Sequence, residues 1–184
     1  MTSLLRFEEV AFRRGGRLLF ERLNLVLASG EAVLVTGPNG SGKSSLIRLA
    51  AGLLRQESGQ IERSSSLALA DDNLALDREL TLGRALRFWK PEVDKAMNSA
   101  GIGHLADVPV RFLSSGQAKR ATLARVFASN APLWLLDEPL NALDADGVGL
   151  LSGMIEQHRA SGGAIVAASH QPLAGNWRVL ELSS

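Results

Sequence analysis

Residues 37–45 read GPNGSGKSS, and how this stretch is understood decides the fold. It follows the short apolar run Glu31-Ala32-Val33-Leu34-Val35-Thr36 and opens onto a segment that carries Leu46, Ile47, Leu49, Ala50 and Leu53 at helical spacing. Strand, glycine-rich loop and helix are the context that makes G-x-x-x-x-G-K-[ST] a phosphate site and not a coincidence of letters. Gly37, Gly40 and Gly42 admit backbone conformations that a side chain would block, so consecutive N–H groups can converge on one anion. The positive end of the following helix points at the same place. Lys43 adds a full charge near the terminal phosphates, and the Ser44 hydroxyl suits magnesium. With Pro38, Asn39, Ser41 and Ser45 as its remaining members, the loop predicts binding of a nucleoside triphosphate, ATP with Mg2+, and leaves open to what end.

At 184 residues the chain reads as one domain, 1–184, long enough to bury a real core. A net charge of +1 with no basic block argues against nucleic acid as a partner. There is no cysteine, which excludes disulfides and thiolate metal sites and suits a reducing cytosol. The beginning, MTSLLRFEEV, lacks the apolar core and cleavage site of a secretory signal. No apolar run approaches the roughly eighteen residues that span a bilayer, so any membrane crossing is expected from another chain.

The periodicity predicts short strands at 4–12 and 23–27 joined by a turn over 13–17, then a strand over 31–36 feeding the loop. After the loop's helix a pair of short strands is expected, near Gln60-Ile61 and at 67–70. The pattern then turns helical. Thr81 is placed to cap a helix over Leu82, Ala85, Leu86 and Trp89; Pro91 opens a second through Val93, Ala96 and Met97, which Gly101 ends. A short helical subdomain is thus expected at about 74–128, closing with a helix that Ser114 caps. Beyond it come a buried strand at 133–136, a helix at 148–158 and strands at 164–168 and 177–182. This alternation predicts an α/β fold of the P-loop NTPase type, with a largely parallel core sheet, N-terminal antiparallel strands, and ligands at the strands' carboxyl ends.

The apolar run Leu133-Trp134-Leu135-Leu136 ends in Asp137-Glu138-Pro139. Neighbouring residues at a strand's end diverge, so two carboxylates there can divide their labour. Asp137 is the candidate for the magnesium site, and Glu138 the candidate for polarising an attacking water.

Upstream lies Leu113-Ser114-Ser115-Gly116-Gln117, and with it the chain resembles the ATP-binding-cassette (ABC) ATPases, whose LSGGQ motif it matches with one Gly-to-Ser change at Ser115. Asn141-Ala142-Leu143-Asp144 is similar to the family's D-loop, and His170 in Ala168-Ser169-His170 to its switch histidine. The resemblance covers nearly the whole chain in the family's motif order. It implies that ATP held by one copy is covered in trans by Ser114, Ser115, Gly116 and Gln117 of a second copy, and that His170 with Glu138 and Lys43 serves hydrolysis. His104 and His158 read as surface or core residues, and Lys119, Arg120 and Arg125 as a solvated helix face.

Two places depart from the family pattern. Arg14, with Phe12 nearby, stands where many members stack an aromatic on adenine, and a guanidinium can stack as well. The Q-loop glutamine expected after 67–70 is missing; Asp71, Asp72 and Asn73 stand there, with Asn73 or Asp72 left to bind magnesium or water.

The phrases Glu79-Leu80-Thr81, Leu86-Arg87-Phe88 and LWLLDEPLNALD resemble the ATP-binding subunits of the bacterial heme-exporter system of cytochrome c maturation. That resemblance implies separate integral-membrane subunits, a place on the cytoplasmic face of the inner membrane, and ATP hydrolysis coupled to heme handling. Leu86, Phe88 and Trp89 are weighed as a face toward a membrane subunit against the core of the helical insertion. The alternatives are another small exporter's ATPase, a soluble cassette ATPase acting on nucleic acid or ribosomes, or a nucleotide-gated binding module without turnover.

Overall fold

The computed structural model describes residues 3–64, 66–88 and 93–183. Its centre is a five-stranded parallel sheet in the order β5-β6-β7-β3-β8, from β3 (Ala32–Thr36), β5 (Leu67–Ala70), β6 (Leu133–Asp137), β7 (Ala164–Ala168) and β8 (Arg178–Glu181). Parallel strands buried on both faces carry near-continuous apolar runs. Alternate side chains here go to opposite cores. Val33, Val35, Leu133, Leu135 and Val166 pack with α1 (Lys43–Ala50) and the antiparallel sheet, while Leu34, Trp134, Leu136 and Ile165 pack with α4 (Ser115–Ala128) and α5 (Ala145–Ala160).

The second sheet is antiparallel, in the order β2-β1-β4, from β1 (Ser3–Arg14), β2 (Arg17–Ala28) and β4 (Ser58–Arg63). Its first two strands are longer than the sequence predicts, 12 residues each, because the turn contracts to Gly15-Gly16. Both glycines have positive φ, 55° and 81°, as a tight two-residue hairpin requires. Both short strands expected near Gln60-Ile61 and at 67–70 form, in different sheets. β4 joins β1, and β5 becomes the edge of the parallel sheet, since the chain reverses between two layers. Helix α1 ends at Ala50, earlier than its apolar spacing suggests: Gly52 N–H bonds the Leu49 carbonyl and Leu53 N–H that of Arg48, a closing motif with Gly52 at φ 76°.

Between the sheets' strands lies the helical segment, with α2 (Leu82–Arg87) and α3 (Val93–Ser99), whose core holds Leu82, Leu86, Met97, Ile102 and Val110. Thr81 stands at the start of α2 but makes no side-chain cap bond. Trp89 and Pro91 lie outside the described residues. Leu86 is 0% exposed and belongs to this core, which removes it from any docking face; Phe88 is 84% exposed.

Helix α4 joins two cores. Leu123 and Val126 enter the sheet's core, and Ala121, Ala124 and Ala128 that of the helical segment. Covered on both flanks, α4 is not the solvated basic face its sequence suggests: Lys119 is 8% and Arg125 9% exposed. His158 stacks on Trp134, ring centroids 3.9 Å apart, and burial pushes its imidazole below the usual range, while His104 is exposed.

Burial separates two leucines that the sequence treats alike. Leu86→Ala is expected to cost about 2–5 kcal/mol by urea denaturation, and Leu53→Ala, at a site 62% exposed, less than about 0.5 kcal/mol.

Candidate functional site

Strand register assembles the site. Val35 of β3 and Asp137 of β6 both pair with Ala168 of β7, so the segments that follow all three strands leave the sheet along one edge. The phosphate loop leaves β3 there. Gly37 has φ 138°, and a Cβ on it would lie 2.4 Å from the Leu182 carbonyl oxygen, so no other residue fits. Lys43 is buried, its ammonium donating to the carbonyls of Gly37 (2.8 Å) and Pro38 (3.1 Å). Ser44 donates its hydroxyl to Asp137 Oδ1 at 3.0 Å, joining the loop to the end of β6.

Asp137 and Glu138 part as expected. Burial pushes the Asp137 carboxyl above the usual range, and the Ser44 bond partly offsets this. Glu138 bends away with φ 45°, its N–H bonded to the Ala168 carbonyl at 2.8 Å. One Glu138 carboxylate oxygen lies 2.8 Å from His170 Nδ1. A carboxylate only accepts, so Nδ1–H is the donor in this bond, while the Gln171 amide lies 3.3 Å from Nε2.

The LSSGQ segment forms the start of α4. Ser114 Oγ accepts from Gln117 N–H at 3.3 Å, and Gln117 Oε1 accepts from Ser114 N–H at 2.9 Å, a reciprocal cap. The Gln117 side chain is thereby held to its own helix. Arg120 forms an ion pair with Asp144, which caps α5 by accepting from Gly147 N–H. The Gly147 bond and then Arg120 hold the Asp144 carboxyl below the usual range.

One cleft, about 320 Å³, brings together Arg14, Asn39, Gly40, Lys43, Ser44 and Glu138. Another, about 300 Å³, is lined by Ser114, Gly116, Gln117, Arg120, Asp144 and His104. The two share no residue. Phe12 is buried near Phe20 and is not available to a base, which leaves Arg14 and Leu19 on the cleft wall. Asn73 is not brought to Ser44 and Asp137. Its N–H and amide turn back onto Asp71, and it lines a separate cavity with Asp72, Arg78 and Arg111. The like charge of Asp72 adds to the upward push on the Asp137 carboxyl. Sequence reasoning missed the buried Lys119, whose Nζ reaches the Asp137 carbonyl at 3.4 Å. Its only signal was a lysine one turn into a helix with apolar residues on two flanks.

The profile of a family described as ABC transporter matches residues 20–141, more than half of the chain. The chain belongs to the ABC transporter family. As its ATP-binding subunit, this cassette is 52% identical over 181 residues to the "Cytochrome c biogenesis ATP-binding export protein CcmA" of Sphingopyxis alaskensis, with 95% of this chain and 93% of that protein covered. It is 56% identical over 169 residues to the protein of the same name from Novosphingobium aromaticivorans, covering 90% and 88%. Its fold matches a solved ATP-binding subunit of an ABC transporter with a TM-score of 0.83 at 22% identity, over 91% of this chain and 79% of that one.

The donor set of the cassette fits a magnesium nucleotide. Among the described residues no three carboxylate or imidazole groups cluster to hold a metal by themselves. Ser44 and Asp137 offer adjacent hard oxygens, the kind of partial shell that magnesium completes with phosphates and water. Gly37→Ala is expected to lower stability by about 1–3 kcal/mol more than Gly40→Ala, measured by chemical denaturation. Both glycines have positive φ, but a Cβ at Gly40 meets nothing within 4 Å.

Proposed function

We propose that this cassette hydrolyses ATP between two copies of itself and thereby drives integral-membrane partners in cytochrome c biogenesis, with heme as the group handled. The observation that carries the two-copy reading is the separation of the clefts: the capped start of α4 shares no lining residue with the phosphate loop of its own chain. A second copy supplies what one chain keeps apart, with Ser114, Ser115 and Gly116 covering the nucleotide in trans.

Within each site, Lys43 and the loop amides hold the phosphates. Ser44 and Asp137 hold Mg2+, which when bound offsets charge on the phosphate oxygens. Glu138 accepts the proton of the attacking water, and His170, bonded to it, fixes its direction. Arg14 stands at the cleft wall for the base. The cytochrome c and heme assignments rest on the relatives' name and on the phrases shared with heme-exporter subunits. Among the described residues no helix is long and apolar enough to cross a membrane; the place on the cytoplasmic face of the inner membrane rests on the resemblance to heme-exporter subunits.

Glu138→Gln is expected to leave ATP affinity unchanged and to cut turnover by about 10²–10⁴-fold in a phosphate-release assay. Lys43→Ala is expected to weaken ATP binding itself by about 10–100-fold in a nucleotide titration. Affinity purification of the tagged chain from detergent-solubilised membranes should recover integral-membrane chains. Recovery of ribosomes or DNA in their place would remove the transport reading.

A further inference from the structure

We propose that Lys119 is a positioning residue for hydrolysis: its buried ammonium clamps the peptide unit between Asp137 and Glu138 and so sets the direction of the Glu138 carboxylate. The inference rests on the reading of Glu138 as the base.

The peptide unit in question carries the Asp137 carbonyl and the Glu138 N–H. The N–H is held by the Ala168 carbonyl at 2.8 Å, and the carbonyl by Lys119 Nζ at 3.4 Å. Both ends are therefore fixed from outside the turn, one by β7 and the other by α4. The clamp is needed because the bend is strained. Glu138 is not glycine, yet it has φ 45°, a conformation that persists only where its surroundings over-determine it. Released from that bend, the carboxylate would no longer face His170 Nδ1, 2.8 Å away.

A lysine in this place is costly by itself. Lys119 is 8% exposed, and burial alone disfavours its charged form. Four carboxylates oppose that cost, Asp72 foremost, then Asp137, Glu138 and Asp71. Arg125 is also buried on α4, but its guanidinium donates to the Leu69 carbonyl at 2.7 Å and faces Asp71, so it leaves the Asp137 carbonyl to Lys119. Lys43 is engaged with its own loop. The cation kept in this buried setting thus touches the peptide whose orientation aims the base.

Lys119→Met tests the clamp, since it keeps the length and apolar stem while removing the donor. Removing the cation alone leaves those carboxylates uncompensated and destabilises the fold, so Lys119→Met is read beside Lys119→Gln, which loses the same charge. The expected result is a fall in kcat of at least about ten-fold with KM for ATP changed less than about two-fold, as for a misplaced catalytic group. An activity-free signal accompanies it: the ring nitrogens of His170, read by 15N NMR without nucleotide, lose the single Nδ1–H tautomer and average between two. Lys119→Gln, which keeps an N–H donor, is expected to retain both the tautomer and most of kcat. The proposal is overturned by a Met variant with wild-type kcat, by lost turnover with an unchanged His170 tautomer, or by loss of the fold, which would make Lys119 a structural support. If Glu138→Gln itself turns over normally, the reading of the base fails instead.

Discussion

The whole arrangement depends on the register of three parallel strands. Because Val35, Asp137 and Ala168 lie side by side, the loop after β3, the carboxylates after β6 and the histidine after β7 emerge within reach of one another. Hydrogen bonds between strands fix that register, and packing on both faces locks it, since a slip of one residue would exchange the two cores. The hydroxyl-to-carboxylate bond from Ser44 to Asp137 and the imidazole-to-carboxylate bond from His170 to Glu138 are local consequences of it.

The charges at this edge form a second layer of constraint. Asp71, Asp137, Lys43, Lys119 and Arg125 are all buried, and an ionised group out of water is tolerated only with partners. Each has one: a loop carbonyl, a strand-end carbonyl, a serine hydroxyl or the field of an opposite charge. The chain's own groups accordingly hold these charges in place. Preorganised dipoles and charges are what electrostatic stabilisation of a reacting phosphoryl group requires.

Much of this was legible in the sequence because local chemistry decided it. GPNGSGKSS between an apolar run and a helical pattern fixed the loop, Leu133-Trp134-Leu135-Leu136 fixed β6, and Ser114 marked the start of α4. What was not legible depended on contacts between distant segments. Lys119 and Arg125 have the composition of a wet helix face, and only the two cores flanking α4 bury them. The separation of β4 from β5 follows from which layer each strand meets, and nothing in their own residues states it. Asn73 turns back onto Asp71 and lines a cavity with Asp72 apart from Ser44 and Asp137, a local turn that the residue types alone do not announce.

Helix α4 has a mechanical meaning that follows from its double burial. A helix whose apolar residues belong to two cores cannot be stripped from one without leaving the other incomplete. The helical segment and the sheet therefore share a beam, and a torque applied to one is delivered to the other without a slack joint between them. The same beam carries Ser114 at its tip and Lys119 one turn in, so a load on the tip is felt at the end of β6.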